Sequence, residues 1–446
     1  MRILVAILCT LPLLEAQSAG FRIALTGDSI LNRRLSVYKD PSYLAMFDEI
    51  RHADAGFTNL ETLIHTYQYP GAAVSGGTYM GSPPWIVDEL KWAGFNLLGA
   101  ANNHAFDYGL DGMRSTLHAL DAAGLAHAGS GENLALARAP AYLDTGNGRV
   151  ALVACASTFT PGSLAGEQRP DLKGRPGLSP LRFSTTYTVD AGTLEGLRKL
   201  TLLNAPDAAQ REGPVRFGGA TYQAGAQTAI HTTPLKEDLD GIVTSIRNAR
   251  RQADWVVVSI HAHEGQPGKR EQPADFLETF AHAAIDAGAD LFVAHGPHVL
   301  RGVEIYKGKP IFYSLANFIF ENDTVEFQPA ENYQAQGLAA SATVADFYDA
   351  RSKNDTRGFP PDRPIWESVV AEVAFNPDRT VKEILLRPIS LGFGEPRPQR
   401  GRPRPAAPAL SKQIVDRLAA LSAAFGTKVE FANGRGVIEL DQKRGQ

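Results

Sequence analysis

Histidines, carboxylates and amides fall at regular points along this chain, and their types define a chemistry before any fold is considered. The chain has 11 histidines. Five of them, His104, His261, His263, His295 and His298, lie in three short stretches, "GAANNH", "SIHAHEG" and "VAHGPH". Asp28 follows in "TGDSIL", Asn59 and Glu61 in "TNLETL", Asn102 and Asn103 beside His104, and Glu264 beside His263. Carboxylate, amide and imidazole donors of this kind suit a divalent ion such as Mn, Fe, Zn or Mg. Gathered without a cation they would repel one another and lose solvation, so a metal ion is the economical explanation. Each residue taken singly has a plainer explanation: Asp28 could cap a helix, Asn102 and Asn103 could shape a turn, and His261 and His263 could be satisfied core histidines.

The elements around these residues explain why they would converge. "FRIALTGDSI" (21–30) reads as a buried strand, "PSYLAMFDEIRHAD" (41–54) as an amphipathic helix and "AGFTNLET" as a second strand. A helix, "SPPWIVDELKWAG", and a strand, "FNLLGAANNH", come next, followed by the helix "GLDGMRSTLHALDAAG" ending at Gly124. The alternation returns after a strand at 149–155, with helix 236–252, strand "DWVVVSIHAHEG", helix "PADFLETFAHAAIDAGA" and strand "DLFVAHGPH". This is an α/β pattern with buried strands covered by helices. In every unit the polar cluster comes just after the strand, where ligands meet such sheets. Residues 303–320 predict a hairpin around Lys307, Gly308 and Lys309, and 367–391 predict a second, antiparallel one around Asn376 to Arg379.

Other stretches set the organisation. Residues 157–235 are rich in Pro, Gly and Thr and read as an insertion or long loop region bordering a site. "GEPRPQRGRPRPAAPA" reads as a solvated spacer before a helix from 410 to 424 and a final strand pair, which defines a C-terminal segment over 396–446. Residues 1–20, "MRILVAILCTLPLLEAQSAG", have one Arg, an apolar run too short to span a bilayer and a small-residue end. This is the layout of an export signal and predicts a periplasmic, secreted or envelope-associated protein. No later stretch is long and apolar enough to cross a membrane. Cys155, the one cysteine outside that signal, sits in a buried strand pattern and reads as a packed thiol. The balance of 44 Lys+Arg against 48 Asp+Glu offers no general attraction for nucleic acid.

The stretches "TGDSIL", "TNLETLI", "GAANNHAFDYG", "AGSGENLALARAP", "SIHAHEG" and "AIDAGADLFVAHGPHVLRGVEIYKGKPIFYSLANFIF" together resemble the CapA family. That family is named for poly-γ-glutamate capsule synthesis and is related to the calcineurin-like metallophosphoesterases. The resemblance implies a layered αββα sandwich over 21–395 with C-terminal antiparallel strands, holding one or two Mn, Fe or Zn ions. It implies Asp28, Glu61, Asn103, His261, His295 and His298 as ligands and His104 as the imidazole that meets the substrate. Asn59, His263, Glu264 and Asn317 are left as substrate-binding candidates, with Lys307, Lys309, Arg301, Arg33, Arg34, Arg169, Arg175 and Arg182 as further cations for an acidic substrate or ordinary turn residues. The chain departs from the pattern at Ile30, which takes the place of a ligand His in the phosphoesterases, and at Ala262, Gly296 and Ala316, which replace the family's Trp, His and Gly, so the ion count stays open. Three functions fit: a metal-dependent hydrolase or transferase on a γ-glutamyl, peptide or phosphoester bond, a metal-independent peptide epimerase, or a non-catalytic partner of an envelope polymer synthase.

Overall fold

The computed structural model describes residues 20–204 and 212–440. The expected export signal lies outside the described residues but for Gly20. The protein is a mixed α/β structure whose strands form two large sheets and several small ones. In chain order the strands of the large sheets are β1 (Phe21–Ile30), β2 (Ala55–Leu60), β3 (Leu97–Gly99), β4 (Ala126–Ala128), β5 (Ala141–Thr145), β6 (Gly148–Ala156), β7 (Trp255–His261) and β8 (Leu291–His295). They continue with β9 (Val303–Tyr306), β10 (Lys309–Phe312), β11 (Asn317–Phe320), β12 (Glu367–Phe375), β13 (Val381–Ser390), β14 (Arg404–Pro405), β15 (Val429–Ala432) and β16 (Arg435–Ile438).

The ten-stranded sheet runs β15-β16-β13-β12-β1-β2-β3-β4, with β11 also paired to β1 and β14 to β13. Its β1 to β4 half is parallel and its C-terminal half antiparallel. The six-stranded sheet runs β9-β10-β8-β7-β6-β5, parallel at its centre. Strand periodicity decides where each side chain goes. Ile23, Leu25, Phe57, Leu152, Val257 and Val293 share one core drawn from both sheets. The intervening Ala24 packs with Phe47 and Ile50 of helix α1 (Pro41–Arg51) and Leu90 of helix α2 (Ile86–Ala93). On the six-stranded sheet Val153, Val258 and Phe292 pack with Ile242 and Ile246 of helix α3 (Lys236–Arg250) and Phe280 of helix α4 (Asp275–Asp286).

The hairpin at Lys307 forms with a two-residue loop. Tyr306 faces Lys309, and Lys307 and Gly308 take φ of 51° and 75°, the two left-handed residues that a type I′ turn requires.

Two expectations change. Within 157–235 the chain builds a four-stranded sheet from Phe183–Val189, Val215–Phe217, Ala220–Ala224 and Ala229–Pro234. Its strands are rich in Thr and only half-buried, so they lack the apolar run that marks a strand of the main sheets; Phe183 anchors them by stacking on Phe276 at 4.3 Å. The Arg/Pro segment is not a solvated spacer. Arg400 is buried between Asp323 and Asp355, Arg397 pairs with Asp349 at 2.6 Å, Arg402 lies over the Tyr38 ring, and β14 adds to β13. Its partner carboxylates sit 45 to 77 residues away in sequence, and composition carries no trace of them.

Candidate functional site

Parallel pairing brings the polar strand ends together. Asp28 of β1 is in register with Asn59 of β2 and with Asn317 of β11, and His261 of β7 is in register with His295 of β8. The β1–β2 register shifts between Leu25 and Asp28, at Gly27. A Cβ on Gly27 would stand 1.8 Å from the Ala316 carbonyl oxygen, so only glycine lets β1 pass this close. The Asp28 amide donates to that same oxygen at 2.9 Å. Left-handed backbone recurs here at His298 (φ 59°), Ala316 (φ 57°) and Gly296 (φ 117°). Strain of this kind collects where side-chain placement is over-determined. Gly296 at the turn frees its amide to donate to Asp28 Oδ2 at 2.9 Å, while a Cβ there would crowd His263.

Asp28 is the hub. Asn59 Nδ2 donates to its Oδ1 at 2.8 Å, and His295 Nδ1 and His261 Nδ1 lie 3.2 and 3.5 Å from the same oxygen. His298 Nδ1 lies 3.6 Å from Oδ2. Burial pushes the Asp28 carboxyl up, but its bonds to His261 and His295 outweigh that and hold it well below the usual range. The other face of His261 turns Nε2 to Glu61 Oε1 at 3.6 Å and to His263 Nε2 at 2.9 Å, while its Nδ1 is 3.1 Å from His295 Nδ1. Burial pushes His261 down to about 4 and also lowers His263 and His298, which favours the neutral ring, the form in which imidazole binds metal.

Three overlapping sets have donor atoms within 4.8 Å of one another: Asp28, His261 and His295; Glu61, His261 and His263; and Asp28, Glu61 and His298. Glu61 tests whether a cation fits among them. It is fully buried, neither carboxylate oxygen has a hydrogen-bond partner among the described residues, and burial followed by the charge of Asp28 raises its pKa. The buried Asn103 Oδ1 likewise has no partner among the described residues. Three orphaned oxygens beside neutral imidazoles are what a divalent ion satisfies and what an ion-free core would avoid.

The remaining expected residues separate by burial. Asn59 and Asn317, expected to meet substrate, are fully buried: Asn59 holds Asp28, and Asn317 Oδ1 accepts from His298 Nδ1 at 2.8 Å while its amide donates to the Ile365 carbonyl. Glu264 spends both oxygens on the Ser157 and Thr158 hydroxyls. His263 stands with the ligand donors as well as on the cavity wall. His104 Nδ1 is 2.6 Å from Asp107 Oδ2, leaving Nε2 directed at Glu61 Oε1, 3.9 Å away. Asp107 was legible as the third residue after His104, but "FDYG" reads equally as a turn. Ser259, two residues before His261 on β7, contacts His295 Nε2 at 2.9 Å through its hydroxyl.

The candidate cations mostly serve the framework. Arg301 is fully buried and donates to the His263 and Arg270 carbonyls, Lys307 and Lys309 pair with Asp286 and Asp290, and Arg33 and Arg34 pair with Glu321 and Glu89. Arg169 pairs with Asp171, Arg175 donates to the Leu164 carbonyl and Arg182 pairs with Glu237 and Asp238. Above the cluster opens a cavity of about 340 Å³ lined by Gly77, Asn103, His104, His263, Arg270 and His298.

Known proteins resemble this chain at several levels. An uncharacterized protein of Sinorhizobium fredii is 37% identical across 94% of this chain and 93% of its own length. The capsule biosynthesis protein CapA of Bacillus anthracis is 29% identical over 53% of this chain, and the match spans 42% of that protein. A probable polyglutamine synthesis accessory protein of Mycobacterium tuberculosis is 28% identical over 55% of this chain and half of its own length. A crystal structure of a hypothetical protein from Thermus thermophilus aligns over 86% of this chain and 96% of its own, at 12% identity and a TM-score of 0.31. No helix among the described residues is long and apolar enough to cross a membrane. The profile of the bacterial capsule synthesis protein family PGA_cap matches residues 22–322, from β1 through β11, and the chain belongs to that family.

Proposed function

We propose that this protein is an exported, divalent-metal-dependent hydrolase or transferase that serves poly-glutamate capsule or envelope synthesis, cutting or transferring a γ-glutamyl, peptide or phosphoester bond. The observation that carries the reading is Glu61, a buried carboxylate with two unpartnered oxygens facing neutral imidazoles. Family membership and the names of the CapA and accessory relatives support the pathway, and the two packed sheets are read as the layers of a calcineurin-like αββα sandwich.

Asp28, Glu61, Asn103, His261, His263, His295 and His298 would hold one or two ions of Mn, Fe or Zn, with Asn59, Asn317 and Ser259 fixing the orientation of three of them. A divalent ion supplies a water activated at neutral pH and Lewis-acid stabilisation of developing negative charge. His104 faces the cavity with Asp107 behind it. That carboxylate fixes the imidazole with its proton on Nδ1 and stabilises the imidazolium, so that Nε2 can deliver a proton to the leaving atom.

The test is metal analysis of the purified protein together with turnover of γ-linked oligoglutamate and of p-nitrophenyl phosphate. Bound Mn, Fe or Zn that is lost in His295→Ala and His298→Ala, with turnover lost in parallel, supports the proposal. Metal-free protein that turns over a peptide refutes it in favour of metal-independent chemistry. A metal-free, inactive protein that co-purifies with a synthase refutes it in favour of a non-catalytic role.

A further inference from the structure

The cavity over the metal cluster continues beyond the part of the chain that the family shares. Arg351, in the last turn of the helix Val344–Ser352, lines that cavity and also a second one of about 140 Å³. The two cavities also share Asn322 and Phe359. Four arginines, Arg351, Arg357, Arg397 and Arg400, line the second cavity against a single acid, Asp323. Two of them are committed: Arg397 pairs with Asp349, and Arg400 with Asp323 and Asp355. Arg270, the other arginine on the metal cavity, pairs with Asp362. Arg351 is half-buried and, among the described residues, makes no hydrogen bond or ion pair of its own; the one carboxylate whose charge reaches it, Asp323, is bonded to Arg400 and lies 3.9 Å from Arg397.

A guanidinium withdrawn from water without a carboxylate partner is unfavourable unless a ligand completes it, and its planar fork matches an oxyanion. We propose that Arg351 is a substrate-binding residue of the candidate site, gripping an anionic group that the substrate carries beside the bond to be broken, with Arg357 at the outer rim of the same subsite. This rests on the metal-site reading for where the reacting bond lies. The geometry selects a ligand that extends from the metal cavity past Phe359 into the arginine-lined one: a chain bearing repeated carboxylates, or a phosphoester whose phosphate lies away from the ions. A neutral peptide or glycan would leave the guanidinium uncompensated.

The experiment is calorimetric titration of the full chain with γ-linked triglutamate and, separately, with inorganic phosphate. Wild type is compared with Arg351→Gln, Arg351→Lys and Arg357→Gln, each checked for an unchanged circular dichroism spectrum and metal content. The expected result is binding of at least one probe, weakened tenfold or more by Arg351→Gln, largely kept by Arg351→Lys and weakened less by Arg357→Gln. Which probe shows this dependence identifies the anion as carboxylate or phosphate. Binding of neither probe, or equal binding by wild type and Arg351→Gln, overturns the assignment. Metal content keeps the two readings apart: Arg351-dependent binding by a protein that holds no metal refutes the metal centre alone, and a metal-loaded protein indifferent to Arg351 refutes this subsite alone.

Discussion

Replacing Glu61 with Gln should change stability in opposite directions with and without metal. In the ion-free protein the Glu61 carboxylate is buried, unpartnered and repelled by Asp28. Glu61→Gln removes the cost of a carboxyl that burial and the Asp28 charge push toward its protonated form, and offers an Nε–H donor to the surrounding acceptors, a gain of about 1–2 kcal/mol. With an ion present the order reverses. At free metal a hundred times Kd, mass action stabilises the wild type by about 2.7 kcal/mol. A variant whose Kd is weakened a hundredfold gains only about 0.4 kcal/mol under the same conditions. Unfolding 446 residues carries an entropy of about 0.9 kcal/mol/K, so the wild-type gain is a Tm shift of about 3 °C and the variant's about 0.5 °C. Scanning calorimetry in EDTA and then in Mn, Zn or Fe reads both arms. A variant that melts below the wild type in EDTA, or a wild-type Tm that none of these ions moves, would refute a metal centre built on Glu61.

Gly27→Ala should be poorly soluble or lose several degrees of Tm, and should bind no metal, because its Cβ would meet the Ala316 oxygen at 1.8 Å and push β1 from β11 beside Asp28; metal content of any soluble fraction checks it. Arg400→Gln should cost about 1–3 kcal/mol at pH 7, measured by urea unfolding, by leaving Asp323 only its 3.9 Å contact with Arg397 and Asp355, which is partly exposed to water, only the Ser352 hydroxyl. The hydrogen bond from Arg400 holds the Asp355 carboxyl below its ordinary value near 3.9, so the pair's contribution is present above about pH 4 and lost as pH falls further. That part of the acid-side slope should be missing in the variant. Burial drives the Cys155 thiol far up, so it should not react with a disulfide reagent until urea unfolds the chain, and a stoichiometric native reaction would show the β6 core to be open.

Much of the site was legible because parallel strands put consecutive polar ends on one edge, and local pattern alone predicts the strands. Asp28, Asn59, Glu61, Asn102, Asn103, His104, His261, His263, Glu264, His295 and His298 could therefore be placed from where each strand stopped, while their division into ligands and a substrate-facing His104 is what the family resemblance implies. What each neighbour does was not legible, because it depends on register between strands far apart in sequence. Asn59 and Asn317 have the chemistry of substrate-binding amides, yet register with Asp28 buries both and gives them a positioning role. Arg301 looks like a surface cation and lies fully buried, its guanidinium on the carbonyls of His263 and Arg270. The arginine-rich segment after 395 misleads for the same reason: it looks solvated until Asp323, Asp349 and Asp355 are brought against it.

The departures from the expected motifs take on a physical meaning once the backbone is known. Ala316 stands where the pattern has glycine, and its φ of 57° shows why glycine suits the position. A left-handed alanine costs about 1–2 kcal/mol, while its buried methyl returns about 0.8 kcal/mol and the loss of glycine's chain entropy another 0.5–1. These terms nearly cancel, so alanine is tolerated without moving Asn317 or the His298 it holds. Gly296 is the reverse case. At φ 117°, with His263 and Ala262 against the place a Cβ would occupy, a histidine here would be strained and would crowd His263. Losing that imidazole leaves room for His263 to stand with Glu61 and His261, and leaves the Gly296 amide on Asp28. The donor set at the candidate site thus includes His263, just past the end of β7, while position 296 contributes its backbone amide.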